Sequence, residues 1–153
     1  MAELIGFAET FDAHSMMSLA SGGEQIERML RAALADADVG VHDVDYINAH
    51  GTGTKNNDET EAEIIDRVFG KSVLVNSTKS LVGHTIGASG AIEILVTALS
   101  LRDQTTHICK NLETPVRDLN FVRAVQQFNM DIGLSQSFAF GGHNAAVVLR
   151  RSN

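Results

Sequence analysis

The sequence predicts an α/β fold, in which a five-stranded mixed sheet with helices packed against it ends in a β-hairpin. Two observations support this prediction. Short apolar runs rich in β-branched residues alternate with longer segments that have the apolar spacing of helices. The last two apolar runs are separated by Gly141 and Gly142, which are typical of a tight hairpin turn. Strand–helix alternation followed by a terminal hairpin indicates a sheet with both parallel and antiparallel strands.

The predicted strands are short apolar runs bounded by polar turn residues. They are residues 3–10, 43–49, 72–76, 131–140 and 145–150. Two helices are predicted at residues 22–37 and 58–69, where apolar residues recur every three or four positions. We expect residues 104–115 to form a strand and a turn, and residues 118–130 to form a connection without clear periodicity.

The rest of the chain is organised around residues 75–101. This stretch begins as an apolar strand, continues through Lys79 and His84, and enters a helix that is apolar on almost every side over residues 92–101. A helix that is apolar all round is normally buried in the centre of a domain. We therefore expect Lys79 and His84 at the carboxyl end of a strand, which is the edge where α/β folds bind ligands.

Composition excludes several classes of protein. A chain of 153 residues is long enough for one domain that buries roughly 70% of its unfolded surface. No apolar stretch approaches the ~18 residues that a membrane span needs. A net charge of −7 argues against nucleic acid or an anionic membrane as partner. The single cysteine cannot form an intrachain disulfide, and the amino terminus has no signal-peptide pattern, so we expect a soluble cytoplasmic protein.

Three segments place unusual residues directly after a predicted strand. They are HGTGT at residues 50–54, Lys79 with His84, and FAFGGHN at residues 138–144. The first two would bring two imidazoles and an ammonium group to one edge of the sheet. A neutral imidazole can donate an N–H to an oxygen that gains charge, and two such donors would stabilise the enolate formed by decarboxylation beside a carbonyl. Each signal is unspecific when taken alone.

Together, these segments resemble the carboxyl-terminal half of the β-ketoacyl-acyl carrier protein synthases, which are thiolase-like condensing enzymes of the KAS I/II type. The landmarks are VDYINAHGTGT at residues 44–54, NSTKSLVGHTIGASGAIE at 76–93 and SFAFGGHNAAVVL at 137–149. The resemblance extends from about residue 2 to residue 150. It implies that residues 1–153 are a single C-terminal ketosynthase domain with a thiolase-like half-fold.

The resemblance implies roles for four side chains in decarboxylation. The two histidines that donate hydrogen bonds to the malonyl thioester oxygen in the family correspond to His50 and His84. The lysine that supports them electrostatically corresponds to Lys79, and its acidic partner to Glu61. The implied reaction is Claisen condensation of malonyl-acyl carrier protein with an acyl group, in fatty acid or polyketide synthesis.

Further residues are implied on the side of the site that receives the carrier. The threonines that hold the phosphopantetheine arm correspond to Thr52 and Thr54, and the gating aromatic residue, whose backbone N–H belongs to the oxyanion hole, to Phe140. The arm belongs to the acyl carrier protein and delivers the substrate. We expect no permanently bound cofactor. We also expect no metal, because His50, His84, His107 and Cys109 lack any recognised ligand spacing.

The chain departs from the family in one decisive respect. The nucleophilic cysteine of the family lies in an amino-terminal half that this sequence does not contain, and Cys109 occupies a position used for structure. Ala139 also replaces the usual glycine before the gating residue. We expect the isolated chain to be inactive and to expose its apolar helix. An amino-terminal half would complete the acyltransferase, as a dimer of such pairs. A split gene and a truncated piece both remain open.

Other interpretations remain open for these residues. Lone histidines are more often structural than functional, and Glu61 could equally be an ordinary acid in the first turn of a helix. The main alternative function is a non-catalytic structural subunit, or one that sets chain length; the retained histidines and lysine argue against it. A hydrolase with His50 as general base lacks a plausible nucleophile elbow.

Overall fold

A computed structural model describes residues 2–152, and in this part of the chain six strands form one sheet. The strands are β1 (Ala2–Phe11), β2 (Tyr46–Asn48), β3 (Leu74–Asn76), β4 (Asn120–Phe121), β5 (Ile132–Ala139) and β6 (His143–Arg151). The α-helices are α1 (Glu24–Asp36), α2 (Lys55–Phe69), α3 (Lys79–Val82) and α4 (Ser89–Asp103). Within the described residues, no helix is long and apolar enough to cross a membrane.

The sheet is mixed and ends in a hairpin, which confirms the predicted fold class. The strands lie in the order β1-β6-β5-β2-β3-β4. β2 pairs in parallel with β3 and β5, and β4 pairs in parallel with β3. β6 lies antiparallel between β5 and β1. The hairpin turn contains Gly141 and Gly142 with φ of 83° and 84°, a backbone conformation that glycine adopts without steric cost.

Two details of the predicted sheet were wrong. The sheet has six strands, because a two-residue strand, β4, forms inside the segment 118–130 and extends the edge beside β3. So short a strand leaves no periodic signal in the sequence. The strand expected in residues 104–115 does not form; α4 continues to Asp103, and only Thr105 makes an isolated bridge, to Gln127.

The larger apolar core lies between α1, α2 and one face of the sheet. Its buried side chains come from both helices and from β2, β3, β5 and β6. Gly6 allows α1 to approach β1 closely, because a Cβ at this position would lie 2.6 Å from the Ala33 carbonyl oxygen and from the Ala37 Cβ. This side of the sheet is closed by the chain's own helices.

Helix α4 packs on the opposite face of the sheet and turns its polar residues inward. Its buried residues are mostly polar: Ser89, Glu93, Thr97, Ser100 and Leu101. Two of its large apolar side chains face outward, Leu95 with 63% and Leu99 with 46% of its surface exposed, whereas Leu101 is fully buried. The expectation that the helix is buried all round is therefore wrong for the described residues. The second expectation, that the half by itself would expose this helix, agrees with the structure.

Candidate active site

The candidate site lies at the carboxyl ends of β2 and β3. These strands run in parallel, with Asn48 paired to Asn76, so the segments that follow them meet at one edge of the sheet. His50 lies two residues beyond β2, and Lys79, at the start of α3, lies three residues beyond β3. The structure thus brings together side chains that are 29 residues apart in the sequence.

His50 is a buried, neutral hydrogen-bond donor. Its Nδ1 lies 3.1 Å from the Nζ of Lys79. An ammonium group can only donate, so Nδ1 accepts this hydrogen bond and the imidazole proton lies on Nε2. Burial lowers the pKa of His50 to about 3, and the charge of Lys79 and then the proximity of His84 add to this effect. At neutral pH the ring is uncharged and its Nε2–H is available to a ligand.

His84 is held in the same tautomer, but by a backbone N–H and not by a lysine. Its Nδ1 lies 3.1 Å from the backbone nitrogen of Ile86 and 3.0 Å from the Ser89 Oγ. The backbone N–H can only donate, so the proton of this imidazole also lies on Nε2. Ile86 has a φ of 53°, which is rare for a β-branched residue and costs on the order of 1–3 kcal/mol. The strained residue is the one whose N–H fixes the His84 ring.

The two imidazoles face one open cavity. Their ring centroids are 5.7 Å apart and the rings are nearly perpendicular, at 89°. The cavity has a volume of about 630 Å³, and both rings line it. Two N–H donors at one cavity can bind a single oxygen atom and stabilise negative charge that develops on it.

The remaining predicted contacts of a carrier arm lie around the same cavity. Thr52 and Thr54 line it, and their hydroxyl oxygens are 2.9 Å apart. Phe140 also lines it and is 72% exposed. Met16 and Met17 also line the cavity, although they lie in a loop outside the three motifs. The cavity is therefore lined by hydroxyls and large apolar side chains.

Lys79 has a different carboxylate partner from the one that the sequence suggested. Its Nζ forms a buried ion pair with Glu93 on the inner face of α4, and the Ser137 hydroxyl lies 3.4 Å from the second oxygen of Glu93. The pairing with Glu61 was wrong. The missed signal was the spacing of polar residues in an apolar helix, since Ser89, Glu93 and Thr97 recur every fourth residue and mark one face.

Glu61 instead fixes the main chain of the HGTGT segment. Its carboxylate accepts hydrogen bonds from the backbone nitrogens of His50 and Gly51 at 2.7 and 2.8 Å. It also accepts from Gln136 Nε2 at 2.6 Å and Asn57 Nδ2 at 3.1 Å. Burial raises the pKa of Glu61, and these four donors oppose that rise. By binding the backbone of His50 and Gly51, Glu61 fixes the position of the His50 side chain.

Cys109 lies in a second cavity, of about 400 Å³, on the other side of the HGTGT segment. It is half-buried, and burial raises the pKa of its thiol. A raised pKa reduces the thiolate fraction, so this environment does not activate a nucleophile. Among the described residues, no group of three or more His, Cys, Asp or Glu side chains is placed to hold a metal ion.

Comparison with known proteins assigns the chain to a family. The family model described as "Beta-ketoacyl synthase, C-terminal domain" matches residues 1–113. The chain belongs to this family. The 3-oxoacyl-[acyl-carrier-protein] synthase 2 of Coxiella burnetii is 40% identical over 156 residues, a match that covers 98% of this chain and 38% of the relative. This β-ketoacyl synthase domain thus spans well under half the length of that relative.

Solved ketosynthase structures share the fold of this β-ketoacyl synthase domain. One, of a type II PKS acyl-carrier protein in complex with its ketosynthase, superposes with a TM-score of 0.94 at 32% identity and covers 99% of this chain and 39% of that one. A ketosynthase in complex with its chain length factor from Xenorhabdus doucetiae gives 0.93 at 32% identity, with 99% and 39% coverage. The predicted thiolase-like half-fold is confirmed.

The buried Lys79–Glu93 pair of the β-ketoacyl synthase domain should be costly to break. Glu93→Gln leaves the Lys79 ammonium buried without a counter-charge, so we expect the free energy of unfolding to fall by about 3 kcal/mol or more. Glu63→Gln is the matched control, because Glu63 pairs with Arg67 at the surface and should contribute at most about 1 kcal/mol. Urea unfolding at pH 7 measures both. An equal loss of unfolding free energy in the two variants would show that the buried pair stabilises the fold no more than the surface pair.

Proposed function

We propose that this chain is the carboxyl-terminal half of a β-ketoacyl-acyl carrier protein synthase. It supplies the decarboxylation site for Claisen condensation of malonyl-acyl carrier protein with an acyl thioester. The observation that carries the proposal is the shared tautomer of His50 and His84. In each ring a donor occupies Nδ1, so that each presents an Nε2–H to one cavity. A relative that shares 40% identity is a 3-oxoacyl-[acyl-carrier-protein] synthase, which supports the same activity here.

The proposed reaction begins when the acyl group forms a thioester with a cysteine of an amino-terminal half. The malonyl thioester then binds with its carbonyl oxygen between the Nε2–H groups of His50 and His84. Its carboxylate leaves as CO2, and the electron pair of the broken C–C bond moves onto that oxygen as an enolate. The enolate carbon attacks the acyl carbonyl, a C–C bond forms, and the cysteine leaves as thiolate. The product is a β-ketoacyl group on the carrier.

Lys79 keeps the Nε2–H of His50 available as a hydrogen-bond donor and does not itself transfer a proton. Its ammonium group donates to Nδ1 of His50 and, together with burial, lowers the pKa of the ring, so the imidazole is neutral at pH 7. A neutral donor pre-oriented in a buried site stabilises developing charge without reorganisation. Glu93 balances the charge of Lys79, and the buried pair keeps its geometry fixed.

The proposed carrier is acyl carrier protein, whose phosphopantetheine arm would enter the cavity along Thr52 and Thr54. Their hydroxyls can hydrogen-bond the amide groups of the arm. Phe140 would gate the entrance, and its backbone N–H would contribute to an oxyanion hole. A similar structure contains an acyl-carrier protein in complex with its ketosynthase, which supports a partner of this kind.

The proposed partner is an amino-terminal half that carries the cysteine and covers the outer face of α4. This chain spans 38% of its relative from Coxiella burnetii, so most of that protein has no counterpart here. The exposed Leu95 and Leu99 provide an apolar surface of the kind that partner chains bury. We propose a dimer of such pairs in the cytoplasm.

A non-catalytic subunit of a ketosynthase complex is the second candidate function. The structure of a ketosynthase with its chain length factor is similar to this chain, so the fold alone does not separate the two functions. The two Nε2–H donors at one cavity and the buried Lys79–Glu93 pair favour the catalytic role, because a scaffold needs neither of them.

Mixing the chain with an amino-terminal half tests the proposal. We expect β-ketoacyl product from malonyl-acyl carrier protein and an acyl donor only when both halves are present. An amino-terminal half with its cysteine changed to alanine is the control, and it should bind the chain but form no product. Product formed by the chain alone would contradict the proposal. So would a stable complex of two folded halves that takes up the acyl group but makes no product.

A further inference from the structure

His107 lies outside every motif described above, yet it contacts the segment that carries Lys79. It is half-buried in the connection after α4, in a region where the sequence suggested only a strand and a turn. Its Nε2 is 3.1 Å from the Oγ1 of Thr78, the residue that precedes Lys79. Its Nδ1 is 2.9 Å from the backbone oxygen of Ile108. Both ring nitrogens therefore have partners.

These partners determine the tautomer of His107. A carbonyl oxygen only accepts, so the proton of the ring lies on Nδ1 and Nε2 is an acceptor. The Nδ2 of Asn76 is also 3.4 Å from Nδ1, but its two hydrogens have closer acceptors: the backbone oxygen of His107 at 2.8 Å and the Thr106 hydroxyl at 3.0 Å. The Thr78 hydroxyl is also 3.2 Å from Asn48 Oδ1, but that oxygen already accepts the Thr78 backbone N–H at 3.3 Å. The single hydrogen of the hydroxyl therefore points to His107 Nε2, at 3.1 Å.

Thr78 transmits this contact to the active site. Its hydroxyl accepts from Asn48 Nδ2 at 2.8 Å, and the second hydrogen of that amide lies near the backbone oxygen of Glu93, at 3.2 Å. The backbone oxygen of Thr78 accepts from Leu81 and Val82 at 3.0 and 3.2 Å and so closes the first turn of α3. Thr78, Asn48 and Glu93 are buried, so their polar groups have no water to replace a lost partner.

We propose that His107 is a positioning residue, which holds the α3 turn through the Thr78 hydroxyl and thereby keeps Lys79 against His50. The inference deepens the proposed function, since it concerns the same site. It assigns a role to a residue that neither the motifs nor the cavity contacts identify. The contact between Lys79 and His50 would then depend on the Thr78–His107 hydrogen bond, which lies outside the cavity.

Matched variants test the hydrogen bond at both of its ends. His107→Leu and Thr78→Val remove the acceptor and the donor, whereas His107→Gln and Thr78→Ser retain them. NMR titration of His50 in the full chain between pH 8 and 4 is the readout. In the wild type the His50 ring should stay neutral throughout, because its pKa is about 3. In the two disruptive variants the pKa of His50 should rise by about 1–2 units, because Lys79 moves away.

A double variant shows whether the two substitutions change the pKa of His50 through one shared hydrogen bond or through separate effects. His107→Leu combined with Thr78→Val should raise the pKa of His50 no further than the larger single change, because both remove the same bond. The retaining variants should titrate like the wild type. An additive rise would overturn the proposal. So would disruptive variants that unfold more easily but leave the titration of His50 unchanged, since that result indicates a purely structural role.

Catalysis by the reconstituted pair provides a second readout. His107→Leu should lower kcat for CO2 release by roughly 10-fold or more without changing KM for the malonyl carrier, because misplaced groups lose rate rather than binding. An unchanged kcat would overturn the proposal. If the wild-type pair releases no CO2, the proposed function fails, and the titration of His50 alone decides the role of His107.

Discussion

His50→Ala and His84→Ala should each lower the rate of CO2 release from malonyl-acyl carrier protein by about 100- to 1000-fold in the reconstituted pair. Each change removes one N–H donor from the oxygen that gains charge, and the loss of one such donor costs about that much in other oxyanion sites. Acyl transfer to the cysteine of the other half should be much less affected, because that step does not form the enolate. Radiolabelled malonyl and acyl groups measure the two steps separately.

His42→Ala is the matched control for these variants. His42 is exposed in a short 3₁₀ turn, and it should leave both steps unchanged. The double variant, with both site histidines replaced, should lose less than the product of the two single effects, because the two donors bind one oxygen. CO2 release at the wild-type rate in either single variant would contradict the assignment of the donors.

Leu95→Asp should weaken association with the amino-terminal half by about 100-fold or more. Leu95 is 63% exposed on the outer face of α4, and burying a leucine side chain contributes about 1.5–3 kcal/mol to association. A carboxylate at the same place would be desolvated without a partner, which adds to the loss. The substitution should also reduce self-association of the isolated chain, because it interrupts an exposed apolar face. Titration calorimetry and light scattering measure the two effects.

Val125→Asp is the control for this surface. Val125 is 69% exposed, like Leu95, but it lies in the connection between β4 and β5 and not on α4. We expect little change in affinity. Equal affinity for Leu95→Asp and the wild type would show that the amino-terminal half does not cover α4.

Local patterns were sufficient to predict most of the sheet. The strands predicted at residues 43–49 and 131–140 correspond to β2 and β5. They could be predicted because continuous apolar runs are bounded there by polar or glycine-containing segments. Parallel strands place the residues that follow them at a common edge, so the meeting of His50, Lys79 and His84 could be expected from sequence. β4 was missed because two residues carry no period.

Contacts between distant segments could not be predicted. The prediction of a helix that is apolar on almost every side takes no account of Glu93, whose spacing from Ser89 and Thr97 marks a buried polar face. The orientation of α4 depends on the surface that covers its apolar side, and no pattern within this chain identifies that surface. Glu61 depends on Gln136, 75 residues away, and a hydrogen bond at that separation leaves no local signal.

If this chain supplies a decarboxylation site that the cysteine of another chain completes, the wild-type pair must release CO2 from malonyl-acyl carrier protein. The decisive measurement is the rate of that release after the cysteine of the amino-terminal half has been acylated. We expect release to match product formation one to one, and to fall to the background rate when either half is omitted. A pair that takes up the acyl group and binds the carrier without releasing CO2 would identify this chain as a structural subunit.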